Sequence, residues 1–166
     1  MGLSEQLASL GSSLGIPELS PTSETVDLEE KGLASLPPLI CELHACEELF
    51  LDKNALSSLP AELTLMRGLR ELNVRSNQLT ALPPSLGELA SLEALYLEQN
   101  ELETLPPSIG SCQKLMGLNA NRNKLERLPG EICLCESLEG LYADFNQLVE
   151  LPEAFGRLTN LQEVSG

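Results

Sequence analysis

The chain has 166 residues, enough for one domain with a sizeable core, and 42% of them are apolar. Only 3% are aromatic and Trp is absent, so aliphatic side chains, chiefly Leu, must fill that core. A formal charge of −15, from 25 acidic and 10 basic residues, repels phosphate backbones and anionic membrane surfaces, which argues against nucleic acid and favours a basic protein surface as partner.

The first six residues, Met1-Gly2-Leu3-Ser4-Glu5-Gln6, lack the basic region of a signal peptide. They start like a myristoylation site, but Gln6 stands where Ser or Thr is wanted. No apolar run approaches the roughly 20 residues of a membrane span, so no membrane insertion is expected. Leu3, Leu7, Leu10 and Leu14 then step by four, three and four, one stripe of a helix. Ser4 is expected to cap its start and Gly15-Ile16-Pro17 to end it. Without Lys or Arg on this helix, the expected role is a cap over the first repeat's core, with residues 1–24 forming the capping helix and linker.

From residue 25 the chain repeats. Leu-Pro pairs begin at Leu36, Leu59, Leu82, Leu105, Leu128 and Leu151, each 23 residues after the last. Asparagines recur with the same period at Asn54, Asn77, Asn100, Asn123 and Asn146, and Lys31 stands where the first would be. Apolar columns keep the step: Leu49, Leu72, Leu95, Leu118 and Leu141 form one, and Leu51, Val74, Leu97, Ala120 and Ala143 the next. Each unit reads L-x-x-L-x-L-x-x-N-x-L followed by L-P-x-x-(L/I)-x-x-L, clearest in residues 92–112. Its first half has the two-residue period of a strand and its second the three-and-four spacing of a helical turn. Pro after Leu removes a strand donor, fixes φ and opens that turn. No unit can bury its Leu face alone, so the units must stack, and the Asn column is expected to satisfy the backbone of the turn after each strand.

The chain stops inside a seventh unit, at Leu161-Gln162-Glu163-Val164-Ser165-Gly166, before its Asn and last Leu. The expectation is a piece of a longer protein, with residues 25–166 spanning about six repeats and a truncated seventh.

This pattern resembles the leucine-rich-repeat family, and the 23-residue length with the L-P-x-x-(L/I) return resembles its intracellular Ras group, the Ras-suppressor-like and polarity-scaffold-like proteins. The resemblance implies an α/β solenoid: a right-handed arc with a parallel concave β-sheet and helical or 3₁₀ convex segments. It also implies a non-catalytic scaffold in signalling around a small GTPase or its effector. Two alternatives stand beside it. One is the recognition part of a larger enzyme such as a kinase, phosphatase, cyclase or ubiquitin ligase; the other is a cytoskeletal or axonemal component.

Little in the chain points to bond-making. His44 is the only histidine and lies in a solvent-facing column. Cys41-x-x-His44-x-Cys46 looks like a metal cluster, but Cys46 replaces a core Leu and a fourth ligand is missing, so neither metal nor cofactor is expected. Five cysteines, mostly at core positions, suggest a reducing, cytoplasmic compartment.

Outward strand positions show where a partner would sit. One column runs Phe50, Asn73, Tyr96, Asn119 and Tyr142; the next runs Asp52, Arg75, Glu98, Asn121 and Asp144; a third runs Lys53, Ser76, Gln99, Arg122 and Phe145. Aromatic residues fall here although the core could have used them, and Tyr and Arg are enriched at interface hot spots. The candidate contact residues are therefore Phe50, Tyr96, Tyr142 and Phe145, oriented by Arg75, Glu98, Asn119, Asn121, Arg122 and Asp144. A flanking column, Glu48, Glu71, Ala94, Gly117 and Gly140, is expected to admit a partner close to the strands, and Phe145 has the alternative of folding inward beside Ala143.

Overall fold

A computed structural model describes residues 2–16 and 18–166. Met1, and Pro17 with its expected part in ending the first helix, lie outside the described residues.

Helix α1 spans Leu3–Leu14. Its start differs from the sequence expectation: Gly2 is the N-cap, and the Glu5 carboxylate accepts from the Gly2 N–H at 3.1 Å. Ser4 sits inside the first turn, because the helix begins at Leu3 and the acid three residues beyond Gly2 reaches back more easily than a hydroxyl could. Gly15 closes the helix in the left-handed conformation, φ 74°, which a side chain would resist. Of the Leu stripe, Leu7 is fully buried in the common core, Leu10 and Leu14 pack against it, and Leu3 remains exposed.

Seven three-residue strands follow: β1 Thr25–Asp27, β2 Glu48–Phe50, β3 Glu71–Asn73, β4 Ala94–Tyr96, β5 Gly117–Asn119, β6 Gly140–Tyr142 and β7 Glu163–Ser165. They pair in sequence order as one parallel sheet. Every pair keeps a 23-residue register, so Leu72, Leu95, Leu118 and Leu141 stand one above another. Between strands the chain returns through short 3₁₀ segments, among them Pro38–Glu42, Ala61–Leu65, Pro107–Ser111 and Gly130–Leu134. A 3₁₀ turn is wider than a strand, so the units splay on the outside and the sheet takes the inner, concave side of an open arc.

The central Leu of each strand from Leu49 to Leu118 is fully buried, as are Leu51, Val74, Leu97 and Ala120 two residues on. All five cysteines are free and buried within the same cluster, whereas the His44 side chain is 66% exposed beside Glu42.

The asparagines form the expected ladder. Asn77 Nδ2 donates to Leu51 O at 2.9 Å and Val74 O at 3.0 Å, and its Oδ1 accepts from the Leu56 N–H at 3.0 Å. Asn100 and Asn123 repeat this one and two units later. Each Asn thus ties its own strand end to the preceding one and holds the preceding unit's chain as it turns outward. The residue just before each Asn is left-handed: Lys53, Ser76, Gln99, Arg122 and Phe145 have φ between 53° and 57°. That conformation turns the chain sharply enough for the Asn side chain to face inward, and it aims residue 145 outward.

Candidate protein-binding face

The solvent side of the sheet carries the sequence-predicted residues on five adjacent units, those of β2 to β6. In register across the strands lie Phe50, Asn73, Tyr96, Asn119 and Tyr142. Tyr96 is 37% exposed, Phe50 and Tyr142 are half-buried, and Phe145 is 73% exposed. The inward alternative for Phe145 does not occur, because its left-handed backbone points the ring away from Ala143. Instead the ring lies under the Arg122 guanidinium, with Cζ 4.6 Å from the ring centroid, a cation–π pair formed by two neighbouring residues of one column.

Arg75 sits between two acids of adjacent units, 3.7 Å from Asp52 Oδ2 and 3.7 Å from Glu98 Oε1. Asp52 is buried, and burial together with nearby Glu29 raises its carboxyl above the usual range against the pull of Arg75. Glu98 Oε2 is buried and has no hydrogen-bond partner among the described residues. Both asparagines of the candidate set do structural work: Asn119 Oδ1 accepts from the Asn121 N–H at 3.1 Å, and Asn121 Oδ1 from the Asp144 N–H at 2.6 Å. The Asp144 carboxylate takes the Ser165 hydroxyl, and the Tyr142 hydroxyl donates to Glu163.

The flanking column behaves unevenly. A Cβ on Gly117 would meet nothing within 4 Å, so the sheet is bare there. Gly140, expected to admit a partner, is instead covered: the Tyr142 ring lies across it, within 3.1 Å of where a Cβ would stand. The reason is the hydroxyl's bond to Glu163, which draws the ring over the glycine. Tyr96 and Tyr142 thus stand on either side of Gly117 as walls of a groove of about 550 Å³. Its rim also holds Arg70, Glu93, Met116 and Glu139, which sequence reasoning passed over. They share one column just before the strands, and the 23-residue period would have exposed it had that position been read as part of the face.

A family model described as leucine-rich repeat matches residues 46–102 and 67–112. The chain is a leucine-rich-repeat protein. Among solved structures, a leucine-rich-repeat protein of Leptospira interrogans is 36% identical, with a TM-score of 0.75 over 79% of this chain and 33% of its own. The leucine-rich-repeat ectodomain of the plant membrane receptor kinase GASSHO1/SCHENGEN3 from Arabidopsis thaliana, in complex with Casparian strip integrity factor 2, is 31% identical. Its TM-score is 0.72, over 78% of this chain and 16% of its own. The chain therefore spans a third or less of the length of these two relatives. No curated protein matches it. Leucine-rich-repeat domains are in general protein-interaction modules, and no helix among the described residues is long and apolar enough to cross a membrane.

Proposed function

We propose that this leucine-rich-repeat protein is a non-catalytic scaffold that captures a protein partner on its sheet face. Tyr96, Tyr142 and Phe145 supply the contact, while Arg75, Arg122, Glu98 and Asp144 set its orientation. One observation carries the reading: Tyr96 and Phe145 are exposed on the one face where three-residue strands present side chains to solvent, in a chain with only 3% aromatic residues. Placing scarce aromatic surface there loses core burial, and a partner's surface restores it. The 23-residue period and the L-P-x-x-(L/I) return favour an intracellular signalling role of the Ras-group kind, with a small GTPase or its effector as partner. The acidic balance favours a basic partner surface.

A second reading is the recognition part of a larger multidomain protein. It draws support from the receptor-kinase ectodomain, of which this chain matches only 16%. The test of the first reading is capture from cell extract by wild-type protein and by the Tyr96→Ala/Tyr142→Ala double variant. Loss of one specific partner with an unchanged circular-dichroism spectrum is expected; equal capture by both rejects the face.

A further inference from the structure

The groove over Gly117 has a chemistry of its own. Its floor is bare backbone, because nothing lies within 4 Å of the Gly117 Cβ position. Its two walls are tyrosine rings, Tyr96 and Tyr142. Five carboxylates line it, from Glu48, Glu71, Glu93, Glu139 and Glu163, against a single cation, Arg70. Arg70 is already held, 3.0 Å from Glu93 and 3.4 Å from Glu47. Glu163 receives the Tyr142 hydroxyl, whereas the Glu71 and Glu139 carboxylates have no hydrogen-bond or ion-pair partner among the described residues. Burial, and after it the neighbouring Glu48, push the Glu71 carboxyl above the usual range, the mark of an acid held partly out of water beside another acid.

We propose that this groove receives an arginine side chain from a basic segment of the partner. The inference rests on the sheet-face reading above and names the chemistry of its central contact. A guanidinium is flat enough to enter between two rings, gains from the faces of both, and offers donors in several directions to acids on the rim. The missing Cβ at Gly117 leaves depth for its stem, and Tyr142 lying over Gly140 closes the groove on one side, so the side chain enters end-on. Glu71 and Glu139 stand on opposite sides of Gly117 in the strand order, one toward β3 and one toward β6, and can take opposite edges of the guanidinium.

The probe is the blocked tripeptide acetyl-Gly-Arg-Gly-amide, set against its uncharged isostere with citrulline in place of arginine. The whole ¹⁵N-labelled chain is titrated with each and followed by amide chemical shifts. The arginine peptide should give saturable shifts centred on Gly117 and Gly140, with citrulline at least tenfold weaker. Gly117→Val, whose Cβ would have nothing within 4 Å, fills the floor and should abolish the saturable shifts while the rest of the spectrum is preserved. The Glu71→Gln/Glu139→Gln pair, which leaves the backbone alone, should weaken binding at least fivefold and flatten its salt dependence. Equal binding of the two peptides, shifts spread over the acidic surface, or Gln variants that bind like wild type would each overturn the proposal. If the arginine peptide fails while the Tyr96→Ala/Tyr142→Ala variant still loses its partner, the groove assignment falls and the sheet-face reading stands.

Discussion

Replacing Asn100 with Ala tests whether the asparagine ladder is what holds the units together. Asn100 is 7% exposed and makes three hydrogen bonds: donors to Val74 O at 2.9 Å and Leu97 O at 3.0 Å, and an acceptor for the Leu79 N–H at 3.0 Å. The three partners do not suffer equally. Val74 O keeps the Asn77 amide at 3.0 Å, and Leu97 O keeps the Asn123 amide at 2.9 Å. Only the Leu79 N–H loses its sole acceptor, and an orphaned buried donor costs about 1–3 kcal/mol. Two bonds lost from carbonyls that retain another partner add a smaller amount, which places the whole effect at about 2–4 kcal/mol. Asn54 makes an equivalent set of bonds at a half-buried position, where water can replace what is lost, so Asn54→Ala should fall about 1 kcal/mol short of Asn100→Ala. Urea unfolding followed by circular dichroism reads both, with an unchanged m-value confirming that the native surface is intact. A loss under about 1 kcal/mol for Asn100→Ala, or equal losses at the two positions, would show that packing and not the ladder carries the stack.

Three further outcomes follow from the same geometry. Gln99 has φ 57° and donates its N–H to Asn121 O at 3.0 Å, so Gln99→Pro should lose about 3 kcal/mol or more, while Gln99→Gly stays within about 1 kcal/mol of wild type; thermal melts of the two decide whether the left-handed turn matters. Asp52 has a folded-state pKa raised by burial, so its ionised form opposes folding: the penalty is full above the raised pKa and gone below the unfolded value of about 3.9. Asp52→Asn should therefore be the more stable protein at pH 7 and lose that advantage as the pH falls towards about 3.5, and an advantage independent of pH would point to packing instead. Burial pushes the Cys41, Cys46 and Cys112 thiols up to about 11 and Cys135 to about 12, so a disulfide reagent at neutral pH should leave these thiols unreacted in the native protein and titrate five in urea.

Much of the architecture was legible in the chain because each unit's neighbours are copies of itself. Leu95 meets Leu72 and Leu118, and Asn100 meets the turns of equivalent units, so one period specifies strand register, buried columns and ladder together. Cys46, Cys112 and Cys135 could be placed inside because they interrupt Leu columns. The outer face has no such redundancy, since neighbouring residues there differ from unit to unit in length and charge. Whether Gly140 is open depends on Tyr142, whose ring is drawn across it by Glu163 one strand further on. Whether Phe145 points in or out depends on a left-handed backbone shared by a whole column, which its own identity does not announce. The chain by itself determined the stack, because a repeated apolar spacing has one way to bury itself; only the tertiary structure decided the groove at Gly117, because its walls and charges come from five different strands and the turns before them.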